Sequence, residues 1–223
     1  MKDVILHVAA DTPSSFDVRP STVAIGDAIS SLGDRYENFL LVPKRQHRPQ
    51  RMRVLEHADQ LHVSLFDPGS WVGIGVERRL DWASFVEQML LKGRRPVAVH
   101  SHKLSYDARI GSVLSRYFGV PHIVTIRGHS DTHSRNLFPW AINRYSDILM
   151  GSAANLWLSA WAAPVIQAKV GYRMSEKDIL FPSCVPDGAA HGGVERTRET
   201  TGSRMRFVCV ARLTDLKQKG ILD

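Results

Sequence analysis

Short apolar runs alternate along the chain with longer segments whose apolar residues recur every three or four positions. The clearest example lies between Pro96 and Asp131 (PVAVHSHKLSYDARIGSVLSRYFGVPHIVTIRGHSD). Val97 to His100 is too short for a buried helix and rich in β-branched residues, and Ile123 to Ile126 repeats that character after Gly119 and Pro121. Between them Ile110, Val113, Leu114, Tyr117 and Phe118 fall at i, i+3, i+4, i+7 and i+8. That spacing predicts a helix, with Ser105 as its N-cap and Gly119 as its left-handed terminator. A helix joining two buried strands predicts a parallel sheet, and parallel sheets bind ligands beyond the carboxyl ends of their strands. The residues to weigh are therefore His100, Ser101 and His102 after the first run, and Arg127, Gly128, His129, Ser130 and Asp131 after the second.

The same alternation predicts further strands at Val4 to Ala9, Phe39 to Val42, Leu61 to Leu65, Ile148 to Gly151 and Ile179 to Phe181. Helices are expected over Thr22 to Leu32, Leu80 to Lys92, a stretch through Trp140 and Ile142, and Ser159 to Val170. The basic segment Lys44 to Arg53 (KRQHRPQRMR) lacks apolar periodicity and is expected to be a mobile surface loop. Gly73-Ile74-Gly75 lacks the third glycine and the preceding strand of a dinucleotide fingerprint and carries no weight. Asp187 to Arg204 loses all periodicity and reads as a linker, so residues 1–186 form one domain, 187–204 the linker, and 205–223 the start of another. The fold class expected is α/β, a Rossmann-like parallel sheet flanked by helices.

Composition changes this picture little. With 223 residues, 43% hydrophobic and 23% charged, the chain is an ordinary globular one. Its 29 Lys and Arg against 22 Asp and Glu give a net charge of +7, which favours anionic partners. The basic segment contains no aromatic residue to stack on bases, so a nucleic-acid partner is not expected. No run of about 18 apolar residues is present, and no cleavable leader is evident, so a cytoplasmic protein is expected, with peripheral contact at the inner membrane face left open. Cys184 and Cys209 stand in unrelated contexts and are read as buried thiols.

Two readings compete for the polar residues at the strand ends. Arg127, His129 and Asp131 either line a cleft, with Arg127 the strongest candidate, or Asp131 caps the next helix and pairs with Arg127. His100 and His102 flank Ser101 at a strand end, one ring expected in the core and the other in the cleft. Together with His129 and His133 they could instead ligate zinc in a metal-dependent hydrolase. No carboxylate stands at a matching spacing, and no metal is expected.

The stretch from Val99 to Asp131, the segment ILFPSCVPDG, and FVCVARLTDLKQKG resemble, in that order, the retaining glycosyltransferases of family 4. The resemblance implies the first half of a two-domain GT-B fold, with residues 1–186 on the acceptor side. It implies sugar transfer with retention from a nucleotide-sugar donor to a carbohydrate or lipid-linked acceptor, without metal or other cofactor. Arg127, Gly128, His129, Asp131 and His102 would line the acceptor cleft. Arg212 and Lys219, with Lys217 as the alternative, would bind the donor diphosphate, where cations stabilise the charge that grows on the leaving group. The family's paired glutamates are not reached by residue 223, so the catalytic residues stay unassigned, and the chain by itself is expected to be inactive.

Overall fold

The computed structural model describes residues 2–10, 29, 32–33, 35–43, 53–57, 61–66, 81–132 and 142–181. The chain divides into two compact units, Met1–Cys184 and Val185–Asp223, and every described residue belongs to the first. The segments expected to be the linker (187–204) and the second-domain start (205–223) lie outside the described residues, as do most of the helix expected over Thr22 to Leu32 and of the basic stretch from Lys44.

Eight strands form one sheet: β1 (Asp3–Val8), β2 (Tyr36–Pro43), β3 (Arg53–His57), β4 (Leu61–Phe66), β5 (Ala98–Ser101), β6 (His122–Ile126), β7 (Ala154–Trp157) and β8 (Asp178–Leu180). Their spatial order is β3-β4-β2-β1-β5-β6-β7-β8. All neighbours pair in parallel except β3 and β4. The α/β Rossmann-like class is therefore the observed one. From β1 the chain builds outward to β2 and β4, returns to lay β5 against the other side of β1, and then builds the opposite way. The reversal of strand order falls between β1 and β5, and this is where an open parallel sheet leaves a crevice.

The helices among the described residues are α1 (Asp81–Met89), α2 (Tyr106–Phe118), α3 (His129–Thr132), α4 (Ile142–Gly151) and α5 (Ala162–Val170). One core joins Val4, Leu6 and Val8 of β1 and Phe39 and Leu41 of β2 to Val86, Ile110, Val113, Leu114 and Phe118 of the helices. A second joins Val124, Ile126 and Trp157 to Tyr145, Ile148 and Leu149 of α4 and Ile166 and Val170 of α5. Each strand of the central group is buried on both sides, so it reads in sequence as a continuous apolar run.

Several expectations are corrected. Ile148 to Gly151 is the last turn of α4 and not a strand; Ile148 and Leu149 are buried while Met150 is exposed, as on one side of a helix. The strand follows it at Ala154–Trp157. Arg53–His57, whose first residue was assigned to a surface loop, is an antiparallel edge strand. Ser105 precedes α2 but its side chain makes no capping bond. Gly119 does end α2 in the left-handed region, at φ 64°.

Candidate functional site

Three strands bring their carboxyl ends to the crevice, β1 with His7, β5 with His100 to His102, and β6 with Arg127 just beyond it. His7 and His100 are paired in register on neighbouring strands. Side chains two apart on a strand share a face, so His100 and His102 point to the same side and Ser101 to the other. Their ring centroids lie 4.2 Å apart, and His7 stands 5.4 Å from His100 and 5.3 Å from His102. The expectation that one of the pair faces the core and the other a cleft is therefore wrong in kind: period-two alternation separates neighbours, not residues i and i+2.

The three rings are wired together. His7 Nε2 lies 3.1 Å from Asn38 Oδ1, and His7 Nδ1 lies 3.1 Å from His102 Nε2. Asn38 Nδ2 faces the carbonyls of Ile29 and Tyr36, which orients its oxygen toward His7. An amide oxygen only accepts, so His7 Nε2–H donates to it, and in the neutral ring Nδ1 is left as the acceptor for His102 Nε2–H. His100 Nε2 lies 2.7 Å from Thr125 Oγ1. Burial lowers the pKa of all three histidines, that of His7 to about 4, and the neighbouring rings and Arg127 lower His100 and His102 further. All three are neutral at physiological pH.

On the opposite face, Ser101 Oγ lies 2.9 Å from His122 Nε2 and donates to the carbonyl of Asp107. Burial alone lowers the pKa of His122 to about 4. This pair sits directly beneath Gly111 of α2, where a Cβ would stand 2.0 Å from Ser101 Oγ and 2.6 Å from His122 Nε2.

The charged groups gather around the loops. Arg127 is half-buried; its Nε donates to the carbonyl of His102 at 2.9 Å, and its backbone N–H donates to Asp131 Oδ2 at 2.7 Å. Asp131 is fully buried, and its other oxygen accepts the backbone N–H of Ser105 at 3.3 Å. One carboxylate thus ties the loop after β6 to the loop after β5. Asp107, also buried, accepts the N–H of Ala10 at 3.0 Å and fixes where the chain leaves β1. Burial raises the Asp107 carboxyl to about 7 against the lowering effect of the Ala10 bond and Lys103. Burial also raises Asp131 and lowers Lys103 and Arg127, and in each cation the two aspartates oppose that shift. The cluster holds two cations against two carboxylates, one of which protonates near neutrality.

Of the expected site residues, the structure brings Arg127, Asp131 and His102 together, with Asp131 engaged by backbone and not open to the crevice. Gly128 adopts φ 92°, and a Cβ there would stand 3.1 Å from Trp161 and 3.3 Å from Ser159 Oγ, so the sharp exit from β6 requires glycine. His129 begins α3, but its side chain, like His133, Arg212, Lys217 and Lys219, lies outside the described residues. Sequence reasoning missed His7, Lys103 and Asp107. His7 sits inside an apolar run and announces itself only once β1 is known to lie beside β5.

No protein-family model matches the sequence, and no curated protein matches it either. Solved structures do. Sucrose-phosphate synthase from Thermosynechococcus elongatus is 12% identical over 81% of this chain and 48% of its own, with a TM-score of 0.57. Another structure of sucrose-phosphate synthase from that organism is 15% identical over 84% of this chain and 92% of its own, at 0.52. The catalytic domain of starch synthase IV from Arabidopsis thaliana, bound to ADP and acarbose, is 13% identical over 82% and 52%, at 0.50. The chain spans about half the length of the first and the last of these. At such identities the likeness shows the fold alone, and it is the one expected, a Rossmann-like sheet of the GT-B type.

Proposed function

We propose that this chain is the acceptor-side half of a retaining glycosyltransferase of the family 4 type, moving a sugar from a nucleotide-sugar donor to a carbohydrate or lipid-linked acceptor. What carries the reading is one coincidence: in a sheet with the fold of sugar-nucleotide enzymes, the buried polar groups concentrate at the strand-order reversal and nowhere else among the described residues is a comparable cluster of charge found. Arg127 is the acceptor-binding candidate. Its guanidinium is aimed by the His102 carbonyl, and it stays charged at any working pH, so it positions an acceptor hydroxyl or phosphate and does not relay protons. His102 frames the crevice from below. Gly128 shapes the turn that presents Arg127, Asp131 locks that turn, and His129 is retained as a cleft candidate.

The donor would be held by residues of the second unit, with Arg212 and Lys219, or Lys217 in its place, set against the diphosphate. Cations there stabilise the leaving group more in the transition state than in the ground state. The test is nuclear magnetic resonance of the isotope-labelled chain titrated with sugars, sugar phosphates and ADP- or UDP-glucose. The expected result for sugars and sugar phosphates is shifts at the Arg127–Asp131 loop and the end of β5, weakened about tenfold in Arg127→Ala as for loss of one charged hydrogen bond, and for the nucleotide-sugars shifts in residues 205–223. Saturating sugar phosphate that leaves those signals unmoved refutes the assignment of the acceptor site.

A further inference from the structure

We infer that His7, His100 and His102 form a binding site for one divalent transition-metal ion of the zinc class. The inference stands apart from the sugar-transfer reading and uses a residue, His7, that the acceptor site does not need. Each ring can offer one ligand nitrogen such that all three lie within 4.8 Å of one another. The His7 Nδ1 to His102 Nε2 separation, 3.1 Å, is near the edge of a tetrahedron with zinc–nitrogen bonds of about 2.0–2.1 Å, which is about 3.3 Å. A hydrogen bond and a shared metal ion ask for almost the same placement of these two rings.

The surroundings of His7 and His100 are those of ligating histidines. A metal-bound imidazole is oriented by a partner on its other nitrogen, and Asn38 fills that role for His7 as Thr125 does for His100. With Nε2 of both rings so engaged, Nδ1 of each is the nitrogen left for a metal. With His7 and His100 protonated on Nε2, ion entry moves the proton of His102 from Nε2 to Nδ1, and no net proton is released. The donor set is three imidazoles without a carboxylate, which suits zinc, cobalt or nickel and disfavours magnesium and calcium. Three protein ligands leave a fourth position for water or another small donor, and the half-buried His100 is the ring nearest solvent among the three.

Cobalt titrated into the metal-free 223-residue chain tests this. The expected outcome is one equivalent bound with the visible ligand-field bands of a tetrahedral nitrogen site, displaced by zinc and untouched by excess magnesium. His102→Gln should abolish the bands, and His100→Asn should weaken binding at least tenfold. Should His102→Gln fail to fold, ring-nitrogen resonance shifts in the wild-type chain identify the ligands directly, and His100→Asn gives the affinity comparison. Absence of stoichiometric binding, an octahedral spectrum, or binding that survives His100→Asn unchanged each overturns the inference. Loss of sugar binding on Arg127→Ala bears only on the acceptor site, so the two readings fail separately.

Discussion

Gly111→Ala decides how tightly the crossover helix must sit on β5. In an isolated helix the change is favourable, because alanine exceeds glycine by about 1 kcal/mol in helix propensity. In this position the new methyl would lie 2.0 Å from Ser101 Oγ and 2.6 Å from His122 Nε2, far inside contact distance, and both atoms belong to one buried hydrogen bond. Two responses are open. Ser101 can swing away, losing its bonds to His122 and to the Asp107 carbonyl and leaving buried polar atoms unpaired, at about 1–3 kcal/mol. Or α2 can lift from the sheet, an overpacking penalty of about 1–3 kcal/mol. Setting the propensity gain against whichever of the two responses costs less, Gly111→Ala should destabilise by up to about 2 kcal/mol.

Urea unfolding followed by circular dichroism reads the value, and a double-mutant cycle with Ser101→Ala reads the cause. Removing the hydroxyl relieves the closest approach, so the double variant should be more stable than additivity allows, with about 1–2 kcal/mol of coupling. A Gly111→Ala chain more stable than the wild type, or a cycle additive to within about 0.5 kcal/mol, refutes the close packing of α2 on the Ser101–His122 pair.

Two other perturbations address the charged cluster. Asp131→Ala removes the acceptor for two backbone N–H groups, those of Arg127 and Ser105; at about 1.5–3 kcal/mol for each charged bond the loss should total about 3–6 kcal/mol. Hydrogen exchange should accelerate first at residues 127–132, and an unchanged exchange pattern there would show that the tie does not hold the loop. Asp107→Asn keeps an oxygen for the Ala10 N–H while abolishing titration. The folded carboxyl of Asp107 is raised from 3.8 to about 7, so the stability it contributes is complete below pH 3.8 and lost as pH rises through 7. The substitution should therefore help more at pH 8 than at pH 5, by about 2–3 kcal/mol at 1.36 kcal/mol per unit; equal effects at the two pH values contradict the shift.

What the sequence discloses follows from where each residue is buried. Strands β1, β2, β5 and β6 are covered on both faces, so their apolar residues run together and stand out from any helix pattern. Arg53–His57 escapes because an edge strand has no such requirement and offers only Val54 and Leu55 as an apolar run, directly after a basic segment. ILMG misleads for a related reason: a helix end that buries Ile148 and Leu149 side by side looks, over four residues, like a short strand. Arg127 and Asp131 are legible as a unit because the loop after β6 is fixed by local chain direction. The partners that complete the site are not, since His7 is 95 residues from His102 and Asp107 meets Ala10 across 97. Those contacts exist only because the chain returns to place β5 beside β1, a fact of topology that no local pattern encodes.

That topology also divides labour within the crevice. A histidine cluster beside an arginine suggests a strongly positive pocket, yet burial holds His7, His100 and His102 neutral, so they contribute lone pairs and hydrogen-bond direction and no charge. Positive charge comes from Arg127 and Lys103; burial lowers the pKa of both and raises that of Asp131, and the opposite charges resist these shifts in one another. The remaining balance rests with Asp107, whose carboxyl is close to half-protonated at neutrality. An anionic group entering beside Lys103 and Arg127 would favour the protonated Asp107. Protonation of Asp107 as an anion arrives would move the balance of the cluster toward positive charge, so that the buried cations keep a carboxylate beside them until the ligand supplies its own charge.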